Sequence, residues 1–136
     1  MQTEDFVTFD QAKSLKKLGF DWGCNHWYHT DEDYEKKLIR SLDYSNHSGL
    51  SPKALSAPSL YQAQKWLMDK KHILISIRPN DFINDSGNTE IHYTTDIFGT
   101  SKGYLELLHS ESGYENYEFA LEDGINEALE LLKNDN

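Results

Sequence analysis

Cysteine is nearly absent: Cys24 is the single one, which excludes an internal disulfide and any thiolate-only zinc cage and suits a reducing compartment. Long apolar runs are missing too. None exceeds three residues, as at Ile73-Leu74-Ile75, against the roughly 20 that a helix needs to cross a bilayer, so no membrane span is expected. Basic side chains are scarce, 13 against 23 acidic ones, for a net charge of −10. That field repels nucleic-acid phosphate and anionic lipid, which disfavours direct nucleic-acid binding. The stretch Met1 to Asp5 is polar and acidic and lacks the basic start and apolar core of a secretory signal, so a cytoplasmic location is expected. Missing as well are a Gly-x-Ser-x-Gly elbow, a His-Glu-x-x-His pair and a dinucleotide fingerprint.

What is present suits a folded domain. Within 136 residues, 38% are hydrophobic and 12% aromatic, enough for one core but not for two ordinary domains, and residues 1–136 are expected to form a single α+β domain. Thr8 and Gln11 have capping-box spacing ahead of Phe9, Ala12, Leu15 and Leu18, and Gly19 stands where a helix stops. This predicts a helix over 9–18. The aromatic run around Asn25 to His29 predicts a short strand, Asp31 to Arg40 a charged helical turn or two with Tyr34 and Leu38 inward, and the serine-rich 42–57 a long loop. Ser59 and Gln62 repeat the capping spacing before a helix over 60–70. Ile73, Ile75 and Ile77 alternate up to Pro79, Asp85 to Asn88 is turn chemistry, Ile91, Tyr93, Thr95 and Ile97 alternate again, and Tyr104 to His109 completes a meander. Asn116 caps a final helix over 117–133, with Tyr117, Leu121, Ile125, Ala128 and Leu132 in one stripe and Gly124 placed for a close approach. The expected architecture is three helices packed on a small, mainly antiparallel three- to four-stranded sheet.

Three phrases carry a resemblance: Phe6-Val7-Thr8-Phe9-Asp10-Gln11-Ala12 leading to Leu18-Gly19-Phe20; Ser56 through Leu67; and Tyr117-Glu118-Phe119-Ala120-Leu121-Glu122-Asp123-Gly124-Ile125. Together they resemble a group of short proteins carried by phages and mobile elements of Bacteroides-type gut bacteria. The resemblance covers both ends and the middle helix. It implies a shared fold and an accessory role in a bacterial cell, and it transfers no catalytic residue.

Candidate chemistry is thin. Cys24, His26 and His29 are soft and imidazole ligands, but strand alternation puts His29 on the opposite face from the other two, and no second ligand pair follows at finger-like distance. No metal site and no cofactor are expected. His72, His92 and His109 fall near strand ends, where two of them could meet as an acid/base pair, without a fixed carboxylate to orient them. Gly99-Thr100-Ser101-Lys102-Gly103 lies between strand patterns and reads as a hairpin turn rather than a phosphate cradle. Asp81, Asp85 and Glu90 miss the order of a calcium loop.

Two features suit recognition. Trp22, Trp27, Tyr28, Tyr34 and Tyr44 cluster beside the long loop, and large rings bring contact area at small entropic cost. From Glu111 to Asp135, eight acidic residues face only Lys133, a solvated helix face or a seat for a basic partner. The expectation is a non-enzymatic protein-interaction module with a protein partner, its binding residues including Trp22, Trp27, Tyr28 and Arg78. The alternative is a small-molecule binder or enzyme with a pocket between the sheet and the 40–57 loop, using histidines and Arg78.

Overall fold

Thr8 begins the first helix through reciprocal bonds. In the computed structural model, which describes residues 5–133, the Gln11 N–H donates to Thr8 Oγ1 at 3.2 Å and the Thr8 N–H donates to Gln11 Oε1 at 2.9 Å. Two of the amides that a helix start leaves open are thereby satisfied. Helix α1 (Phe9–Lys17) buries Gln11, Ala12 and Leu15. In its last turn Lys16 Nζ donates to the carbonyls of Ser51, Pro52 and Ala54 at 3.1, 3.2 and 2.9 Å, a cation near a helix C-terminus that also ties down residues 51–54.

The chain divides between Trp66 and Leu67 into two compact units. In the first, β1 (Cys24–His29), β2 (Ile39–Ser45) and β3 (Ala54–Ser56) form an antiparallel sheet of order β2-β1-β3, with the short helix α2 (His47–Leu50) between β2 and β3. Two expectations are corrected here. The helical part of residues 31–40 is only a 3-10 turn at Glu32–Tyr34, because Glu35 and Lys36 take φ of 50° and 57°, which no right-handed helix continues, and Ile39 and Arg40 already belong to β2. Tyr34 and Leu38 are accordingly exposed, not inward. The expected loop over 42–57 instead carries the end of β2, then α2 and β3. Its serines serve as paired bonding groups: the Ser48 N–H donates to Ser56 Oγ at 2.9 Å and the Ser56 N–H to Ser48 Oγ at 2.7 Å. Buried Val7, Leu15, Phe20, Leu55 and Trp66 belong to this unit's core.

Helix α3 (Leu60–Lys71) runs through the division and starts as its spacing suggests, with the Gln62 N–H donating to Ser59 Oγ at 3.1 Å. In the second unit β4 (Ile73–Ile83), β5 (Thr89–Gly99) and β6 (Glu106–Tyr114) form the antiparallel meander β4-β5-β6. Strand β4 continues past Pro79 because it is an edge strand, the position where a residue without an N–H is tolerated. Asn116 caps helix α4 (Tyr117–Lys133), its Oδ1 accepting from the Phe119 N–H at 2.8 Å. Leu121, Ile125 and Ala128 of the expected stripe are buried. Gly124 lets α4 lie close on the sheet: a Cβ there would stand 2.8 Å from Ile75 Cγ2 and 2.9 Å from Thr95 Cγ2. Thr95 Oγ1 donates to the Ala120 carbonyl at 2.9 Å beside it.

The class is α+β, as expected, with four α-helices and two three-stranded sheets among the described residues. The aromatic strand at 24–29 finds its partners in 39–45 and 54–56 and so forms a sheet of its own. No helix among the described residues is long and apolar enough to cross a membrane.

Candidate functional site

Strand alternation decides which β6 side chains meet α4. Thr95 and Ile97 of β5 are opposite Glu111 and His109 of β6, and Thr95 touches α4, so His109 and Glu111 stand on the helix-covered face. Three residues later the register slips: Tyr93 is opposite Tyr114, and Gly113 takes φ of 96°. The extra residue is a β-bulge, and glycine supplies the left-handed backbone that it uses. The bulge brings Tyr114 to the same side as Glu111, where its hydroxyl is 3.1 Å from Glu111 Oε2 and also bonds Asp123 of α4. Burial, then the neighbouring carboxylates of Asp123 and Glu111, push the Tyr114 phenol far above its ordinary range, so it stays protonated and acts as a donor.

Helix periodicity supplies the rest. Asp123 and Glu127 are one turn apart on α4 and therefore share a face. Glu127 converges with His109 and Glu111, their ligand-type atoms all within 4.8 Å of one another. Beside them an open cleft of about 560 Å³ is lined by Glu111, Gly113, Tyr114, Glu115, Phe119, Glu122, Asp123 and Asn126. It contains four carboxylates and no cation, and Phe119 is 62% exposed at its side.

The opposite face of the same sheet is balanced. Arg78 Nε donates to Asp96 Oδ2 at 2.7 Å, Ser110 Oγ donates to Asp96 Oδ1 at 2.6 Å, and Asn80 bonds Thr94, which donates to Ser112 at 3.0 Å. Burial works against the charge on Asp96, but Ser110 and Arg78 outweigh it and hold the carboxyl below its usual range. Arg78, expected as a binding residue, is engaged in this network and also donates to Asn80 Oδ1 at 3.1 Å.

The other expected binding residues belong to the first unit. Tyr28 is buried and donates to the Val7 carbonyl at 2.8 Å, a core position. Trp27 is half-buried and stacks on His47 at 6.1 Å, while half-buried Trp22 lies 6.4 Å from Phe20. This unit has its own pocket of about 510 Å³, lined by Phe6, Cys24, Asn25, His26, Arg40, Tyr44, Ser59 and Gln62. Gln62 Nε2 donates to the Gly23 carbonyl at 2.7 Å and to Tyr44 OH at 3.2 Å. Burial pushes the Cys24 thiol up, against weaker help from Ser56 and backbone groups, which makes it a poor nucleophile. Cys24, His26 and His29 do not converge as a ligand group among the described residues, and His29 stacks on Tyr34 at 4.0 Å. Of the three strand-end histidines, His92 alternates to the face opposite His109 and stacks on Phe82 at 4.4 Å.

In the sequence Glu111, Glu115, Glu122 and Glu127 read only as part of an acidic tail, with nothing that joins them to His109. The available signal was His109-x-Glu111 on a strand, followed by Asp123 and Glu127 at helical spacing. Comparison with protein-family models, curated proteins and solved structures returns no match.

Proposed function

We propose that this protein is a non-enzymatic accessory protein of a phage or mobile element, cytoplasmic, that captures a basic segment of a partner protein in the cleft between β6 and α4. One observation carries the reading: four carboxylates line the cleft with no basic residue among them, beside the exposed ring of Phe119. Such a surface attracts a Lys- or Arg-bearing segment at long range and gives it an aromatic face at contact, where a guanidinium stacks well. The accessory role comes from the resemblance of the two ends and the middle helix to proteins of that kind. The test is fluorescence anisotropy with a labelled Arg/Lys-rich peptide, against a Glu-rich peptide of equal length. Binding should weaken with salt and fall about tenfold, roughly 1.4 kcal/mol, in the double variant Glu115→Lys with Glu122→Lys. Equal binding of both peptides, or no effect of the double variant, refutes the reading.

A second reading rests on the pocket of the first unit, where Arg40, His26, Gln62 and Tyr44 converge around about 510 Å³. That set suits a small anionic or amide-bearing ligand. A small-molecule thermal-shift screen in which hits vanish on Arg40→Ala supports it, and hits that persist exclude it.

A further inference from the structure

We infer that His109, Glu111 and Glu127 form a binding site for a divalent transition-metal ion of the zinc class. This goes beyond capture of a basic segment and does not depend on it. Two facts separate the cluster from an ordinary acidic surface. His109 Nε2 is itself shut off from water and has no hydrogen-bond partner although the side chain is 32% exposed, its neighbour Glu111 Oε2 being 3.6 Å away. A ring nitrogen in that condition calls for an explanation, and a role as a metal ligand is one. In addition, no Lys or Arg of the described residues forms an ion pair with Glu111, Asp123 or Glu127, although the three carboxylates gather on one side of the sheet.

A single cation answers both. One imidazole nitrogen and two carboxylates are borderline and hard donors, a set that zinc accepts at about 2.0–2.2 Å. At those bond lengths tetrahedral ligand atoms stand roughly 3.3 Å apart, so His109 and Glu111 at 3.6 Å are close to the required spacing. Glu127, held within 4.8 Å by α4, reaches the ion by side-chain rotation. The Tyr114 hydroxyl, 3.1 Å from Glu111 Oε2, orients that ligand from behind. Three protein ligands leave a coordination position open to water or to a donor atom of a bound partner.

Calorimetric titration of metal-free protein with ZnCl2, and in parallel with MgCl2, reads this out. The expected result is saturable one-to-one zinc uptake, with magnesium bound at least about a hundredfold more weakly because it prefers oxygen ligands and keeps its water. His109→Ala and Glu127→Gln should each lower zinc affinity by at least the about 10–100-fold that loss of a ligand's supporting partner costs. Glu127→Gln keeps the side-chain shape, so it serves if His109→Ala fails to fold. The cleft variant Glu115→Lys with Glu122→Lys replaces no ligand, so it should lower zinc affinity less than Glu127→Gln does, although Glu111 lines both sites. Absence of saturable uptake, equal uptake of magnesium, unchanged affinity in Glu127→Gln, or a drop in the cleft variant as large as in Glu127→Gln each overturns the assignment.

Discussion

On the face of the second sheet turned from α4, Asp96 has Arg78 on one oxygen and Ser110 on the other. On the face that α4 covers, Glu111, Asp123 and Glu127 gather around His109 and Tyr114, and no Lys or Arg of the described residues pairs with them. Both arrangements put carboxylates on one three-stranded sheet. The difference lies in the partners: the first is closed within the fold and stabilises it, while the second leaves charge and a ring nitrogen to be satisfied from outside. Partnered polar groups belong to architecture, and unpartnered ones at a cleft point to a ligand.

The contrast can be broken most severely at the helix itself. Ile125 of α4 is fully buried, so Ile125→Ala should destabilise the protein by about 2–5 kcal/mol, measured by urea denaturation, and loosen the helix that carries part of the cluster. Next in size is Arg78→Ala, expected to cost about 1–3 kcal/mol because it strands a buried, hydrogen-bonded carboxylate. This variant also has a pH signature. The folded Asp96 carboxyl lies below its ordinary value, near 3.9 when unfolded, so its contribution is complete above that value and is lost as pH falls through the folded one. Acid titration of stability should therefore be shallower in Arg78→Ala than in the wild type below about pH 5. Asn116→Ala removes the bond to the Phe119 N–H and should cost about 1 kcal/mol, with a lower helical signal near the cleft. The smallest effect has the opposite sign. In metal-free protein, Glu127→Gln relieves the one-turn repulsion from Asp123 and should stabilise by about 0.2–0.5 kcal/mol. If that substitution destabilises as Arg78→Ala does, the two faces are alike and the contrast fails.

Helix ends and the meander were legible because their signals are local. Thr8 with Gln11 and Asn116 with Phe119 make the bonds their spacing requires, and Gly124 marks the close approach to Ile75 and Thr95. Residues 31–56 were not legible, since β2 is largely exposed and its pattern does not alternate toward a core, with Leu42 98% exposed, and β3 is only three residues long. The site was hidden for a different reason. Its ligand-type residues lie on a strand and on the helix that returns over it, and a bulge at Gly113 redirects Tyr114 to join them. Neither the return path nor the bulge leaves a periodic trace. Arg78, near a strand end, and Tyr28, in the aromatic stretch beside the expected loop, suggest binding from the sequence, and the structure engages both in internal bonds.

Binding of a divalent cation by His109, Glu111 and Glu127 is tested most directly by nitrogen-detected NMR of the six histidine rings during zinc addition. The account predicts that the His109 Nε2 resonance moves to a metal-bound position at one equivalent while the rings of His72 and His92 stay unchanged. A His109 resonance that does not move, or equal shifts across all the rings, would contradict it.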